Sequence, residues 1–249
     1  PDGKLCYDNS RVSRRVDDYD VKGFLKEQSF YGIDGNACYC IDGYARVVNT
    51  YDSLGNLEEQ IFYGLDGKPC NNINGYARLK NKHDFHGNMI EQSYFNSRGV
   101  PCFHKNGFYK VCSKYDGNSN KIEEVYYDIN GELCYHIDGF AKICKKYDSR
   151  GNLTEEIVYG IDGLPCYHKD GYARLVNKYD SQDNLVEKKF YDVKGNLCYN
   201  KIGIARVVNK RDFRGKLKEQ SFYDVNGKRC LTNEGYAIIR EQYDLRGAL

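Results

Sequence analysis

Cysteine recurs at a regular spacing along this chain, and its thiol can ligate a metal or form a disulfide. Eight of the eleven cysteines are spaced by 32 residues: Cys6, Cys38, Cys70, Cys102, Cys134, Cys166, Cys198 and Cys230. A disulfide needs Cα atoms about 4.4–6.8 Å apart, which a single-coil solenoid allows, whereas a two-stranded repeat spaces column members about 10 Å apart. We therefore interpret the column as small buried apolar residues with free thiols, which favours a reducing or anaerobic setting.

Histidine follows three of these cysteines at a distance of two residues. The pairs are Cys102 and His104, Cys134 and His136, and Cys166 and His168. On a strand both members of a pair face the same side, so six ligands suited to zinc or copper could line three adjacent repeats. The same position elsewhere holds residues typical of a solvated polar site: Asp8, Cys40, Asn72, Asn200 and Thr232. A metal site is therefore kept as an alternative, and otherwise no cofactor is expected.

A glutamate and a basic residue also recur once per repeat. The glutamates are Glu27, Glu59, Glu91, Glu123, Glu155, Glu187 and Glu219, and the basic column is Arg14, Arg46, Arg78, Lys110, Lys142, Arg174 and Arg206. Side chains alternate between the two faces of a strand, so Glu59 shares a face with Leu57, Ile61 and Tyr63. This apolar face is expected to point inward, which predicts a buried carboxylate that needs a hydrogen-bonding or charged partner. The basic column, turn amides and tyrosine hydroxyls are the candidate partners. Catalysis needs a singular constellation, so these repeated residues predict a structural role and a protein that is not an enzyme.

Aromatic residues form two further columns, one of which we expect to fill the core. The other, next to the basic column, is expected to be exposed and to form a binding stripe with it, since Tyr and Arg are favoured at binding surfaces. The predicted stripe comprises Tyr44, Arg46, Tyr76, Arg78, Tyr172, Arg174 and Arg206.

The elements that position these columns follow from the glycines. A Gly-aromatic-Ala motif recurs every 32 residues without insertion or deletion, at Gly43, Gly75, Gly107, Gly139, Gly171, Gly203 and Gly235, with Tyr109 in place of the alanine in one copy and Ile204 in place of the aromatic residue in another. Short segments rich in Tyr, Val, Phe and Ile lie between Gly, Asn and Asp, which is typical of strands and tight turns, and a helical apolar period is absent. The sequence predicts an all-β fold, an elongated, β-solenoid-like array of about eight stacked β-hairpins. We expect two main strands and one short strand per repeat, in a single tandem-repeat domain over residues 1–249 with boundaries near those seven glycines.

Composition excludes several functional classes. The chain has 249 residues, with 37 Lys and Arg against 35 Asp and Glu. This near balance argues against nucleic-acid binding through bulk charge. The sequence lacks an apolar run of about 18 residues and an apolar segment near Pro1, so neither membrane insertion nor a signal peptide is expected.

One local motif is similar to a known repeat signature. The segments 51–58 (Tyr-Asp-Ser-Leu-Gly-Asn-Leu-Glu) and 147–155 (Tyr-Asp-Ser-Arg-Gly-Asn-Leu-Thr-Glu) resemble the Tyr-Asp-x-x-Gly-Asn unit of YD repeats. Such repeats occur in RHS-type bacterial surface and toxin polypeptides, which form β-strand shells. The resemblance implies a bacterial β-repeat architecture and no specific activity.

These observations favour a non-enzymatic repeat scaffold that binds a protein or polysaccharide through a periodic aromatic and basic surface. The first alternative is a self-assembling filament or cell-surface stalk, joined end to end through terminal strands. The second is a metal-binding column of Cys and His.

Overall fold

The structure is a computed structural model that describes residues 12–212 and 214–241. Cys6 and the atypical start of the first repeat at residue 11 lie outside the described residues. The described strands are β1 (Arg14–Tyr19), β2 (Leu25–Tyr31), β3 (Arg46–Tyr51), β4 (Leu57–Tyr63), β5 (Arg78–His83), β6 (Met89–Phe95), β7 (Lys110–Tyr115), β8 (Lys121–Tyr127), β9 (Lys142–Tyr147), β10 (Leu153–Tyr159), β11 (Arg174–Tyr179), β12 (Leu185–Tyr191), β13 (Arg206–Arg211), β14 (Leu217–Tyr223) and β15 (Ile238–Arg240). Over these two ranges no helix is long and apolar enough to cross a membrane.

The chain forms two compact units. Unit 1 comprises the residues up to 113 together with 125–134, and unit 2 comprises 114–124 together with the residues from 135 onward. Within each unit the strands are hydrogen-bonded in chain order, and the neighbours pair antiparallel. The predicted all-β array of successive hairpins is confirmed, and its repeats are hairpins rather than single solenoid coils.

Each hairpin from β1 to β14 consists of one strand of six residues and one of seven, and β15 has three residues. In the second repeat Arg46 lies opposite Tyr63 and Thr50 lies opposite Glu59, and Glu59 in turn lies opposite Lys80 of the next hairpin. The predicted third strand is reduced to a single bridging residue per repeat, such as Pro69 opposite Tyr63.

The turn within each hairpin explains the Tyr-Asp-x-x-Gly-Asn motif. Asp52 Oδ1 accepts the backbone N–H groups of Leu54 at 2.9 Å and Asn56 at 2.8 Å, and Asn56 Nδ2 donates to Asp52 Oδ2 at 2.9 Å. Gly55 has a φ of +90°, which only glycine adopts without strain. The aspartate, glycine and asparagine of the motif are therefore the chemistry of one turn.

The register gives each hairpin two faces. The ladder face consists of the residues equivalent to Arg46, Val48, Thr50, Glu59, Ile61 and Tyr63, and the covered face consists of those equivalent to Val47, Asn49, Gln60 and Phe62. On the covered face Val47 and Phe62 are 3% and 4% exposed, and the Tyr44 ring of the connecting segment lies 4.6 Å from the Phe62 ring. This face is the core of the array.

The core corrects the predicted orientation of the second strand. Leu57, Ile61 and Tyr63 were expected to face inward together with Glu59, but Phe62 is buried and Ile61 and Tyr63 are half-buried. The prediction was wrong because one aromatic side chain, packed on neighbouring rings, outweighs several smaller contacts on the opposite face. The glutamate therefore lies on the ladder face.

Candidate functional site

The glutamates of the ladder face each bind basic side chains from neighbouring strands. One partner lies in the same hairpin, nine residues before the glutamate. An example is Lys114, whose Nζ lies 2.7 Å from Glu123 Oε1. Another partner lies in the next hairpin, nineteen residues after the glutamate. An example is Lys142, whose Nζ lies 2.7 Å from Glu123 Oε2. The second type recurs between Glu27 and Arg46 at 3.0 Å and between other pairs at the same separation. The glutamate column thus joins consecutive hairpins.

These contacts set the protonation of the carboxylates. Burial alone would raise the pKa of Glu123, Glu155 and Glu187, but hydrogen bonds and charges from the flanking cations outweigh it and lower the pKa of each. Arg240 and Lys210 lower the pKa of Glu219 to about 2. These four carboxylates therefore stay ionised at neutral pH.

The basic column also packs on an aromatic column of the same face. The Arg46 guanidinium lies 4.3 Å from the centre of the Tyr63 ring, and Arg174 and Arg206 lie 5.0 and 5.1 Å from the rings of Tyr191 and Tyr223. Such cation–π contacts attract the guanidinium to the face of the ring. The ladder face therefore repeats one unit of glutamate, cation and aromatic ring.

The structure places the arginines and the tyrosines of the predicted binding stripe on two different faces. Arg46, Arg78, Arg174 and Arg206 lie on the ladder face, with side chains 34–39% exposed. Tyr76 and Tyr172 are only 7% and 8% exposed, and Tyr44 packs between core rings.

Strand boundaries explain why these tyrosines are in the core. Strand β3 begins at Arg46, so the alternation that would place Tyr44 beside Arg46 does not extend back to residue 44. The aromatic partners of the basic column are instead the residues seventeen positions later: Tyr31, Tyr63, Tyr127, Tyr159, Tyr191 and Tyr223.

Within the described part of the chain, the Cys and His columns do not converge into a metal site. The thiols of Cys102, Cys134 and Cys166 lie 3.6–3.8 Å from a glycine carbonyl of the preceding repeat, as weak hydrogen-bond donors. Burial raises the pKa of each thiol, that of Cys134 to about 11. The ten cysteines within the described residues are free.

The histidines have a different role, which the sequence did not reveal. Nδ1 of His136 accepts the backbone N–H of Asp138 at 3.1 Å, and His104 and His168 make the same bond at 3.1 and 3.0 Å. Asn72 and Asn200 accept the corresponding N–H through their Oδ1 atoms. The position therefore selects for a turn-capping acceptor. Across residues 12–212 and 214–241 no three His, Cys, Asp or Glu side chains are grouped to hold a metal ion.

Two further columns of side chains, one of lysines and one of aromatic residues, were not predicted from the sequence. The lysines of the hairpin partners, which include Lys82, Lys114 and Lys146, bind the glutamates from exposed positions. An aromatic column after the cysteines is about half exposed: Tyr39, Phe103, Tyr135, Tyr167 and Tyr199. Both recur every 32 residues, so the repeat alignment contains the signal. Only the register shows which columns share a face.

Comparisons with known proteins identify no family. No protein-family model and no curated protein matches the chain. Among solved structures it is similar to the crystal structure of TcdB2-TccC3, with 11% identity, a TM-score of 0.39 and coverage of 88% of this chain and 12% of that one. The TcdB2-TccC3-Cdc42 structure gives 12% identity, a TM-score of 0.36 and coverage of 88% and 13%. The Tc holotoxin pore of Photorhabdus luminescens gives 11% identity, a TM-score of 0.23 and coverage of 84% of this chain and 13% of that one. The chain thus spans about an eighth of the structures it resembles, and TM-scores of this size do not establish a common fold.

Proposed function

We propose that this chain is a non-enzymatic repeat scaffold of the YD type that binds a partner through its ladder face. The observation that carries the proposal is the recurrence of the same glutamate–cation–aromatic unit in successive hairpins, with its cations about one-third exposed or more on most strands. The bacterial YD relation is supported by the turn motif, whose aspartate, glycine and asparagine form the same turn in several hairpins.

A periodic surface suits an extended partner. Tyr and Arg supply contact area and directional hydrogen bonds at interfaces, and each hairpin offers an aromatic ring beside an arginine or a lysine. The ion pairs hold the cations in place before a ligand arrives, which lowers the entropy cost of binding. An extended protein segment or a polysaccharide can contact several units at once, so that weak contacts add.

The test is a screen of the full chain against a random peptide library and a panel of glycans. The comparison protein is the double variant Arg174→Gln/Arg206→Gln, and the matched control is Lys194→Gln/Lys228→Gln, which removes the same charge from exposed turns. We expect ligands that the ladder-face variant loses and the turn variant retains, with circular dichroism showing that both variants fold. Ligands that bind all three proteins equally, or a screen without ligands, would contradict the proposal.

A further inference from the structure

The ladder face of unit 2 carries more than twice as many cations as carboxylates. Its carboxylates are Glu123, Glu155, Glu187 and Glu219. Its cations are Lys114, Lys142, Lys146, Arg174, Lys178, Lys189, Arg206, Lys210 and Arg240. The face thus has a net charge of five positive units, whereas the whole chain has +2.

The internal ion pairs cannot neutralise this excess. All nine cations already lie within 4 Å of one of the four carboxylates, so every carboxylate is shared by two or three cations. The outer lysines remain accessible, with the side chains of Lys146 and Lys178 73% and 64% exposed. The face therefore attracts an acidic ligand.

The spacing of the positive charge limits the shape of that ligand. Strands in a sheet are 4.7–4.9 Å apart, so equivalent side chains of consecutive hairpins are about 9.4–9.8 Å apart. A polyproline-II chain has three residues per turn and a rise of 3.1 Å per residue, so every third side chain lies on one side at intervals of about 9.3 Å. An extended β-strand repeats on one side about every 6.8 Å, and a nucleic-acid strand has a phosphate about every 3.4 Å. Of the three, polyproline II fits the hairpin spacing.

The aromatic rings of this face support the same ligand class. Polyproline-II segments are recognised on surfaces lined with aromatic rings, because their conformation is ordered before binding. Tyr159, Tyr191 and Tyr223 supply one half-buried ring per hairpin, each beneath a cation of the basic column.

We propose that the ladder face of unit 2 binds an acidic polyproline-II segment of a partner protein, with one carboxylate per turn above each hairpin. This inference rests on the proposed scaffold function and narrows its partner to one chemical class.

The test measures binding of the full chain to synthetic peptides by calorimetry at low and high salt. The probe is a (Glu-Pro-Pro)n peptide of about five repeats, which follows the three-residue turn. The matched peptide has the same glutamates in one block followed by the same prolines, so that only the charge spacing differs. We expect the periodic peptide to bind on the order of tenfold more tightly than the block peptide, and to weaken as salt rises.

Protein variants locate the site. Lys146→Gln/Lys178→Gln should weaken binding of the periodic peptide several-fold, while each affected glutamate keeps Arg174 or Arg206 as a partner. Lys194→Gln/Lys228→Gln, with the same loss of charge on exposed turns of unit 2, should bind as the unaltered chain does.

Three outcomes would overturn the inference: equal binding of periodic and block peptides, tighter binding of a sulfated glycan or a single-stranded oligonucleotide, or no binding of the periodic peptide. If ladder-face ligands still emerge from the library and glycan screen, only the polyproline-II inference fails. If that screen is also empty, the scaffold proposal fails with it.

Discussion

The two units share one fold, and the ladder face of unit 2 differs from that of unit 1 chiefly in one column. At the hairpin position nine residues before each glutamate, unit 1 has Asp18, Thr50 and Lys82, whereas unit 2 has lysine throughout, at 114, 146, 178 and 210. The described ladder face of unit 1 accordingly has six cations against four carboxylates: Arg14, Arg46, Arg78, Lys80, Lys82 and Lys110 against Asp18, Glu27, Glu59 and Glu91.

This difference separates residues that maintain the fold from residues that set its surface charge. The buried apolar residues of the covered face, the aspartate of each hairpin turn and the glutamate column recur in both units, so they define the hairpin. The lysine column projects into solvent and changes from repeat to repeat without changing the register. Specificity for a ligand is therefore expected to lie in that column.

The largest expected effect concerns what the units have in common. Phe62 in unit 1 and Phe190 in unit 2 occupy equivalent core positions and are 4% and 7% exposed. Replacing either by alanine leaves a cavity, and we expect each change to lower the free energy of unfolding by about 3–5 kcal/mol. Urea titrations followed by circular dichroism measure this, and losses that differ by more than about 2 kcal/mol would show that the two cores are not equivalent.

The next effect distinguishes the ladder faces. Glu187 is 11% exposed and binds Lys178, Lys189 and Arg206, whereas Glu27 is 33% exposed and binds Arg46. Because Glu187→Gln leaves three cations without a counter-charge, we expect a loss of about 1–3 kcal/mol in the free energy of unfolding. Glu27→Gln should cost less than about 1 kcal/mol. The same urea titrations compare them, and equal losses would contradict the assigned difference between the faces.

The glutamates of unit 2 also predict a dependence on pH. The pKa of Glu219 falls from an ordinary value of 4.5 to about 2 in the folded chain. The unfolded chain therefore binds the proton more readily, so the stabilisation is complete above about pH 5 and is lost as the pH falls towards 2. Thermal unfolding between pH 6 and pH 2 should become less pH-dependent in Glu219→Gln. A pH profile identical to that of the unaltered chain would show that the carboxylate is not paired in solution.

The sequence predicts the hairpin array well because its signals are local. Asp52, Gly55 and Asn56 specify their turn within five residues, and the repeat copies that turn along the chain. The site was harder to predict, because alternation along one strand does not say which residues of the next strand share its face. The contact between Glu59 and Arg78 depends on that cross-hairpin register. Tyr44 was assigned to the wrong surface for a similar reason, since it precedes the strand to which alternation was applied.

A smaller effect involves an unsatisfied amide in unit 2. Gln60 donates to Asn49 Oδ1 and Gln92 donates to Asn81 Oδ1 in unit 1, both at 2.9 Å, and Gln220 donates to Asn209 Oδ1 in unit 2 at 3.0 Å. Lys188 occupies the equivalent position beside Asn177, whose buried Oδ1 has no hydrogen-bond partner.

We therefore expect Lys188→Gln to raise the free energy of unfolding by about 1 kcal/mol, because it restores a buried hydrogen bond. The reciprocal change in unit 1, Gln60→Lys, should lower it by a similar amount. Urea titration measures both, and the same sign for the two variants would show that the bond is not what distinguishes them.

The smallest expected effect lies in the hairpin turns. Unit 1 has glycine at the positive-φ position of its turns, at Gly23, Gly55 and Gly87, and unit 2 has glycine there at Gly151 and Gly215 but Ser119 and Asp183 in the other two turns, with φ of 61° and 63°. A side chain in this conformation costs roughly 1 kcal/mol relative to glycine, so Ser119→Gly should raise the free energy of unfolding by up to about that amount.

Asp183→Gly also relieves the strain, but it removes the contacts of Asp183 with Arg150 at 2.9 Å and Asn152 Nδ2 at 2.7 Å. These exposed contacts are worth up to about 1 kcal/mol, so relief and loss should nearly cancel. Thermal unfolding of the two variants side by side measures the difference, and a gain from Asp183→Gly as large as that from Ser119→Gly would mean that the Asp183 contacts contribute nothing to stability.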